Sequence, residues 1–367
     1  MSVKRLLCLV SAMNTGGAET FLMKLYRKLD KTKYQMDFCV NSTERGFYDS
    51  EIEKLGGKIF YIPSKSENIR KFKMGLSEIV RSYRYEYVLR ITSNAMGFLD
   101  LKIAKDSGAK QCIARSSNSS DGNGLKVWSA HVLGRLLYSR YVDVKLAPSD
   151  LAGIYTFGKR CYSNGQVTIL HNAVDLKQYS FQTDERLKIR NEFGVAKNTL
   201  LIGHIGRFSK QKNHDFLIDI YKKIHEKIPN SRLILVGSGE LKEEINEKVQ
   251  KLNLLENVIF TGVRADVSNI LSALDVFVFP SFYEGMPNTV IEAQATGLPC
   301  IISDTITREA NITGLVKYKS LQSSEEEWAN EAINSVKIIR KDTKNLFIQS
   351  GYDIESVTRK FEKLVFE

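Results

Sequence analysis

The sequence of 367 residues lacks the patterns that mark several common protein classes. No apolar run approaches the ~18 residues of a membrane-spanning helix. There is no C-x-x-C pair, no H-E-x-x-H motif and no cluster of cysteine and histidine, which argues against a zinc site. The G-x-S-x-G motif is also missing, so nothing indicates the nucleophile of an α/β-hydrolase.

The five cysteines are odd in number and lie mostly among apolar, strand-like neighbours. We expect reduced core cysteines of a cytoplasmic protein, with no disulfide framework. The apolar stretch Leu6–Val10 is too short for the core of a signal peptide, so it is predicted to be the first β-strand. No D-x-D motif is present, and such aspartate pairs are expected where a divalent ion binds a diphosphate. We therefore expect neither a metal nor a cofactor.

The net charge of +11 comes from the first half of the chain. Residues 1–175 hold 27 Lys and Arg against 16 Asp and Glu, whereas residues 176–367 hold 26 of each group. A basic half followed by a neutral half suggests different partners for the two. An anionic membrane surface suits such a charge. Nucleic acid is not expected, because no recognised nucleic-acid motif is present.

Strand-like and helical segments alternate along both halves, which predicts two doubly wound α/β domains with parallel sheets. Domains are predicted over residues 1–175 and 176–352, with a polar linker running to Glu185 and a final helical segment over 353–367. The predicted strands are Leu6–Val10, Met36–Val40, Lys58–Ile62, Tyr87–Ile91, Gln111–Ala114, Val142–Ala147, Val167–Leu170, Leu200–Ile205, Arg232–Val236, Val258–Phe260, Val276–Phe279 and Cys300–Ile302. The predicted helices lie near 66–84, 96–107, 124–140, 214–227, 240–251, 266–272, 288–296 and 325–340.

The segment over residues 280–299, P-S-F-Y-E-G-M-P-N-T-V-I-E-A-Q-A-T-G-L-P, carries the strongest chemical signal. It follows an apolar strand, turns at Gly285, and enters a helix that Asn288 or Thr289 is expected to cap. A helix that begins after a tight glycine turn presents backbone N–H groups that suit an anion.

Two carboxylates, Glu284 and Glu292, flank this turn. Carboxylates beside a bound phosphate would repel it, so we expect them to accept hydrogen bonds from hydroxyl groups. A phosphate with hydroxyl-rich groups on both sides describes a nucleotide sugar.

A second turn, H-I-G-R-F-S-K-Q-K-N over residues 204–213, places two cations beside another helix start. Arg207 comes just after the strand and Lys212 five residues later, whereas Lys210 between them is expected to be solvated. Because positive charge and N–H dipoles both favour an anion, this turn is predicted to clamp a diphosphate.

These elements resemble family 4 of the retaining glycosyltransferases with the GT-B fold, the glycosyl transferases group 1. The similarity rests on E-x7-E from Glu284 to Glu292, the trailing A-x-A-x-G-x-P, and G-R-x-x-x-x-K-N over residues 206–213. It implies two facing Rossmann-like domains with an interdomain cleft, and a C-terminal helix that packs back on the N-terminal domain. Arg207 and Lys212 would hold the donor pyrophosphate. Glu284 would bind the donor sugar, and Glu292 would bind the ribose. Arg207, Lys212 and Glu284 are the predicted catalytic residues.

Further donor contacts follow from the same resemblance. The Gly16–Gly17 turn is similar to the family's G-G-A-E loop, which reaches the donor from the N-terminal domain. V-G-S-G-E over 236–240 and F-T-G-V-R over 260–264 are similar to loops near the nucleotide. The predicted donor-binding residues are Gly16, Gly17, Val263, Arg264, Gly285, Met286, Pro287, Asn288, Thr289 and Glu292.

On the acceptor side, A-R-S-S-N-S over residues 114–119 is similar to a segment commonly written A-H-S-H-N-S. Here Arg115 and Ser117 stand where histidines would be. The acceptor-side candidates are Arg115, Asn118 and His131, and a packed structural histidine is the alternative for His131.

The predicted helix 66–84 combines an apolar stripe with a basic remainder. It is expected either to bury the stripe in the core or to lie on an anionic membrane, as in enzymes with lipid-linked acceptors. The stripe consists of Ile69, Phe72, Leu76, Ile79 and Tyr83.

The expected activity is transfer of a sugar, with retention, from a nucleotide diphosphate sugar to a glycan or lipid-linked acceptor in surface polysaccharide synthesis. UDP is the expected nucleotide, and the expected location is the cytoplasm or the inner face of the membrane. A sugar-nucleotide epimerase or phosphorylase of the same fold is an alternative. A basic nucleic-acid-binding protein is the alternative from another class.

Overall fold

The computed structural model describes residues 3–14, 16–117 and 125–367. The chain forms two compact units: unit 1 comprises residues 1–173 and 351–367, and unit 2 comprises residues 174–350. Each unit is a parallel β-sheet with helices between its strands, so the predicted fold class of two doubly wound α/β domains is confirmed.

Unit 1 is built on a seven-stranded sheet in the order β3-β2-β1-β4-β5-β6-β7. Leu6, Leu7 and Cys8 of the central strand are fully buried, as expected where helices cover both faces of a parallel sheet. The strands are β1 (Lys4–Val10), β2 (Tyr34–Val40), β3 (Ile59–Tyr61), β4 (Tyr87–Thr92), β5 (Gln111–Ser116), β6 (Val144–Ala147) and β7 (Thr168–Ile169). The helices are α1 (Gly17–Lys28), α2 (Asp49–Lys54), α3 (Lys65–Ser82), α4 (Phe98–Asp106), α5 (Leu125–Tyr138), α6 (Asp150–Phe157) and α7 (Lys159–Ser163).

Unit 2 is built on a six-stranded parallel sheet in the order β10-β9-β8-β11-β12-β13. The strands are β8 (Leu200–Ile205), β9 (Ser231–Val236), β10 (Val258–Gly262), β11 (Val276–Phe279), β12 (Cys300–Ser303) and β13 (Val316–Lys319). The helices are α8 (Thr183–Glu192), α9 (His214–Lys227), α10 (Lys242–Lys251), α11 (Val267–Ala273), α12 (Asn288–Ala295), α13 (Glu325–Ser335) and α14 (Lys344–Gln349). The order reverses between β8 and β11, which is where open α/β sheets bind their ligands.

The last helix, α15 (Ile354–Phe366), belongs to unit 1. Its side chains at Val357, Phe361 and Val365 join the apolar core formed with α1 and the sheet. The Phe366 ring stacks on Tyr34 with 4.3 Å between ring centroids. The chain therefore leaves unit 1 after residue 173 and returns to it at residue 351.

The predicted linker to Glu185 is wrong in its second part, because α8 begins at Thr183. This helix is fixed to unit 2 by Arg186 and Arg190, each of which forms a 2.6 Å ion pair with Asp275. The helix is therefore part of the second domain.

The apolar stripe of α3 is buried only in its central part. Ile69 and Tyr83 are each 48% exposed, because the helix is interrupted at Asn68 (φ −159°) and ends at Ser82. Among the described residues, no helix is long and apolar enough to span a bilayer. The buried residues of the stripe are Phe72, Leu76 and Ile79.

Candidate functional site

The candidate site of unit 2 lies at the carboxyl ends of three neighbouring strands. The loops that follow β9, β8 and β11 lie side by side because these strands are adjacent in the sheet. Both predicted ligand-binding turns, over residues 206–213 and 280–288, are among them.

The two turns are joined by hydrogen bonds into one surface. The Gln211 side-chain amide donates to the Tyr283 carbonyl at 2.9 Å, and the Phe282 N–H donates to the Gln211 carbonyl at 2.9 Å. Asn213, which is left-handed at φ 55°, donates to the Pro280 carbonyl at 3.1 Å. Sequence reasoning missed Gln211 and Asn213, since neither polar residue shows its partner in the chain.

Lys212 and Glu284 are brought together at the centre of this surface. Lys212 Nζ lies 2.6 Å from Glu284 Oε1, and the two side chains are 17% and 9% exposed. Lys212 Nζ also lies 4.6 Å from the centroid of the Phe279 ring. A largely buried ammonium beside a carboxylate gives one group for phosphate oxygens and another for hydroxyl groups.

Arg207 is placed at the same edge but remains open to solvent. Its side chain is 74% exposed, and its guanidinium lies 3.1 Å from Glu240 Oε2. An exposed ion pair of this kind contributes little to stability, so Arg207 can exchange Glu240 for an incoming anion at small cost. Glu240 is a third residue that the sequence analysis did not single out, although it lies within V-G-S-G-E.

The two glycines of V-G-S-G-E allow the loop after β9 to pack closely against the loop after β8. Gly237 (φ +139°) lies against the Gly206 carbonyl and Gly239 (φ +157°) against Phe208, so closely that a Cβ on either glycine would overlap the neighbouring backbone. Phe208 N–H donates to the Ser238 carbonyl at 3.0 Å. Glycine is required here both for its φ and for the close approach of the two loops.

Helix α12 begins at Asn288, with Pro287 in the capping position and no side-chain cap. The expected cap by Asn288 or Thr289 is therefore wrong, because both residues already lie inside the helix. Glu292 lies in the second turn of α12 and is 7% exposed. Gly285 and Met286, in the loop before α12, are partly exposed.

Two buried histidines lie beneath the clamp. His204 and His214 are 0% and 2% exposed, and their ring centroids are 4.6 Å apart. His204 Nδ1 lies 2.9 Å from the Val278 carbonyl and therefore donates to it, which leaves Nε2 as an acceptor. Burial, aided by the charge of Lys212, lowers the pKa of His214 to about 4. Burial, aided by the neighbouring His214, also lowers the pKa of His204. Both rings are neutral at pH 7, so neither histidine adds positive charge to the site.

Val263 and Arg264, which were predicted to contact the donor, differ in how far their side chains are available to a ligand. Val263 is 63% exposed, whereas the Arg264 guanidinium is paired with Glu192 at 2.7 Å and Asp266 at 2.8 Å. These hydrogen bonds raise the pKa of Arg264. The Arg264 side chain is held by protein carboxylates, so the turn presents the exposed Val263 and its backbone to a ligand.

In unit 1, Gly16 and Gly17 lie at the exposed start of α1. A Cβ on Gly16 would meet the carboxylate of Glu19, which folds back over the helix start. Burial raises the pKa of the Glu19 carboxyl. That this turn and the turns of unit 2 bind one phosphate group remains a prediction.

Arg115 and His131 are held within unit 1. Arg115 is 1% exposed, lies 3.6 Å over the Phe21 ring and donates to Asn172 Oδ1 at 2.7 Å, and burial lowers its pKa to about 9. His131 Nδ1 accepts from the Ala95 N–H at 3.1 Å, so Nε2 donates to the Tyr155 carbonyl at 3.0 Å. This packing favours structural roles over acceptor contact. The third candidate, Asn118, lies outside the described residues.

The described part of the chain contains no group of three or more His, Cys, Asp or Glu that could hold a metal ion. Among the described residues of the site, Arg207 and Lys212 are the two basic side chains predicted to bind the diphosphate. They lie beside the starts of α9 and α12, where backbone dipoles add positive potential.

Comparison with known proteins relates this chain to one family of enzymes. The family model "Glycosyl transferases group 1" matches residues 185–361. The putative glycosyltransferase EpsF of Bacillus subtilis is 35% identical over 367 residues, covering 96% of this chain and 94% of EpsF. The UDP-Gal:alpha-D-GlcNAc-diphosphoundecaprenol alpha-1,3-galactosyltransferase of Escherichia coli is 27% identical, covering 67% of this chain and 66% of that protein.

Solved structures share the fold across nearly the whole chain. HepE of Anabaena, in complex with UDP and glucose, superposes with a TM-score of 0.76 at 17% identity, covering 98% of both chains. A glycosyltransferase of Rickettsia africae gives a TM-score of 0.79 at 16% identity, covering 99% of both. With a relative as similar as EpsF over its full length, this chain belongs to the glycosyl transferases group 1 and is a glycosyltransferase of the GT-B fold.

Proposed function

We propose that this enzyme transfers a sugar from a UDP-sugar to a lipid-linked glycan in surface polysaccharide synthesis, with retention of the anomeric configuration. The observation that carries the proposal is the Lys212–Glu284 pair, set between β8 and β11 at the switch point of the sheet. A cation and a carboxylate in contact suit a substrate that places a diphosphate next to sugar hydroxyls.

The proposed mechanism is stabilisation of the leaving nucleoside diphosphate. Arg207 and Lys212 neutralise the charge that develops as the bond between sugar and phosphate breaks. Glu284 accepts hydrogen bonds from the sugar hydroxyls, and Glu292, nearly buried in α12, accepts from the ribose. Neither glutamate is assigned as a nucleophile, because both are assigned to hydroxyl groups of the donor.

The donor and acceptor classes are supported by the names of relatives. The HepE structure contains UDP and glucose, and the name of the Escherichia coli relative specifies UDP-Gal and a diphosphoundecaprenol-linked sugar. We extend to this chain the UDP that both names contain and the lipid diphosphate acceptor that the name of the Escherichia coli relative contains.

We assign the proposed membrane surface to α5 in preference to α3. Trp128 and Leu136 of α5 are 57% and 75% exposed, and no acidic residue occurs between Asp121 and Asp143. Exposed apolar side chains beside cations suit an anionic bilayer. The exposed apolar residues of α5 are Val127, Trp128, Leu133, Leu136 and Leu137, and its vicinity carries Arg135 and Arg140.

Donor binding is tested by a thermal-shift screen with nucleotide diphosphates and their sugars. We expect UDP and a UDP-sugar to raise the melting temperature, and Arg207→Ala, Lys212→Ala and Glu292→Ala to abolish the shift. Lys210→Ala is the matched control, since Lys210 is exposed in the same loop and should leave the shift intact. A full shift in Arg207→Ala would contradict the clamp.

Retention and reaction type are tested by NMR. The anomeric coupling of the transferred sugar should match that of the donor. Quantitative epimerisation of the donor in the absence of any acceptor would favour the epimerase alternative.

Membrane association is tested by flotation with phosphatidylcholine vesicles, with and without phosphatidylglycerol. We expect binding only with the anionic lipid and its loss in Leu133→Ser/Leu136→Ser. The control Leu187→Ser/Leu255→Ser changes two leucines of unit 2 that are 44% and 52% exposed. Equal binding by both double variants would exclude α5 as the membrane surface.

A further inference from the structure

Unit 2 contains a cavity of about 600 Å³ whose walls include Ala295 and Thr296. These residues lie at the carboxyl end of α12, whereas the donor site lies at its amino end. We propose that this cavity is a second ligand site, which takes a small phosphorylated molecule with a planar apolar group, such as a nucleotide. The inference goes beyond the proposed function and does not depend on it.

The size and shape of the cavity suit such a molecule. Pockets of about 300–1,000 Å³ bind most small ligands in proteins. The walls come from two chain segments, residues 176–181 and residues 340–344, together with the end of α12. The cavity therefore lies wholly within unit 2.

The charge of the walls favours an anion. Three exposed lysines line the cavity, Lys177, Lys341 and Lys344, against the single carboxylate of Asp342. Asp342 Oδ1 accepts a hydrogen bond from the Lys344 N–H at 2.9 Å, so that carboxylate already has a partner. Phosphate oxygens can accept charge-assisted hydrogen bonds from the three ammonium groups.

The apolar part of the walls favours a flat ring. Phe181 is 41% exposed, and Arg340 lies 4.7 Å from the centroid of its ring. Because an aromatic ring has two faces, a nucleobase can stack on the part that remains exposed. Stacking on an aromatic side chain binds every base and requires no hydrogen-bond readout.

The walls are fixed before any ligand arrives. Arg340 donates hydrogen bonds to three backbone carbonyls near the carboxyl ends of α11 and α12. The acceptors are Leu271 at 3.0 Å, Thr296 at 3.1 Å and Leu274. Thr343 Oγ1 donates to the Ala295 carbonyl at 3.1 Å. A cavity held in this way loses little conformational entropy when a ligand binds.

The position of the cavity gives a bound ligand a means of changing activity. One wall follows the point where the chain enters unit 2 at residue 174, and another precedes the point where it leaves at residue 350. A ligand with different affinity for two arrangements of these connections would shift their populations. Feedback by a nucleotide is the simplest use of such a site.

The test is isothermal titration of UMP, UDP, AMP and inorganic phosphate into the full chain. The variant Arg207→Ala/Lys212→Ala removes the donor clamp, and we expect it still to bind a nucleotide. In that background, Lys341→Glu/Lys344→Glu should weaken the remaining binding by ~10-fold or more. Phe181→Ala should weaken it as well, whereas Phe181→Tyr should preserve it.

The matched control in the same background is Lys197→Glu/Lys251→Glu, which makes the same charge change at two exposed lysines of unit 2. It should leave nucleotide affinity unchanged. Failure of all three nucleotides to bind to the clamp variant would overturn the proposal, and so would phosphate binding as tightly as UMP. If wild type and clamp variant bound nucleotide equally, the donor assignment would fail while the cavity assignment stood.

Discussion

Lys212 and Glu284 stand 72 residues apart in the chain, and their side chains meet at 2.6 Å. The contact joins the loop after β8 to the loop after β11, so it exists only when both turns are in place. Since both side chains are largely buried, removal of either partner leaves a poorly solvated charge.

The first prediction concerns Glu284→Gln. UDP should bind the variant at least as tightly as wild type, because the carboxylate of Glu284 no longer competes with the phosphate for Lys212. Sugar transfer should fall by ~100-fold or more, in the range seen when one transition-state contact is removed. Titration calorimetry and steady-state kinetics measure the two effects.

Glu240→Gln is the control for this prediction, because Glu240 pairs with the exposed Arg207. It should change turnover by less than about threefold, as expected for an exposed pair. If Glu284→Gln lost UDP affinity together with turnover, Glu284 would be holding Lys212 in place without contacting the sugar.

The second prediction concerns Gly237→Ala. The new Cβ would overlap the Gly206 carbonyl, and the residue must also keep φ +139°. We expect the free energy of unfolding of the variant to fall by about 2–4 kcal/mol, with loss of UDP binding as the loop moves away. Urea unfolding and calorimetry provide the measurements.

Gly314→Ala is the control that distinguishes backbone strain from steric overlap. Gly314 also has a positive φ of +77°, but a Cβ at this position would have no neighbour within 4 Å. Gly314→Ala should lower the free energy of unfolding by about 1 kcal/mol and leave UDP binding unchanged. Equal losses from the two variants would show that φ alone explains the effect.

The third prediction concerns Arg115→Ala. A buried guanidinium that contacts Phe21 and Asn172 fills part of the core of unit 1, so Arg115→Ala should leave a cavity and lower the free energy of unfolding by about 2–5 kcal/mol. UDP affinity should not change, because the clamp lies in unit 2. Arg160→Ala, at an exposed position of unit 1, should be close to neutral. A stable Arg115→Ala variant that lost only acceptor turnover would restore the acceptor role.

Helices and strands were predicted best where the hydrophobic period of a segment agrees with the turn residues at its ends. Helix α9 and strands β8 and β11 were predicted at their observed bounds, since buried strands and amphipathic helices have distinct periods. Short or polar elements were missed. Strand β13 (Val316–Lys319) reads V-K-Y-K and helix α8 is mostly charged, so neither carries a recognisable apolar pattern.

The candidate site was predictable only where spacing along the chain carries the information. Arg207, Lys212, Glu284 and Glu292 follow from motifs within single loops. The Gln211–Tyr283 contact spans two loops, and the burial of Arg115 is set by β5 packing against α1. Such contacts depend on the order of strands in the sheet, which one sequence does not display.

The last prediction concerns pH and the buried His214. Its pKa is lowered from 6.5 to about 4 in the folded protein, so between these values the unfolded chain binds more protons. Stability from the neutral ring is complete above pH 6.5, declines as the pH falls, and is lost near pH 4. Replacement by His214→Phe keeps an aromatic ring against Phe208 and removes the titration. From pH 7 to pH 5, the variant should lose about 2 kcal/mol less stability than wild type.

Urea unfolding at several pH values measures this difference directly. Parallel curves for wild type and His214→Phe would mean that His214 is protonated without cost in the folded state. In that case the positive charge beneath the donor site would be shared by Lys212 and His214, and diphosphate affinity should rise as the pH falls through 6.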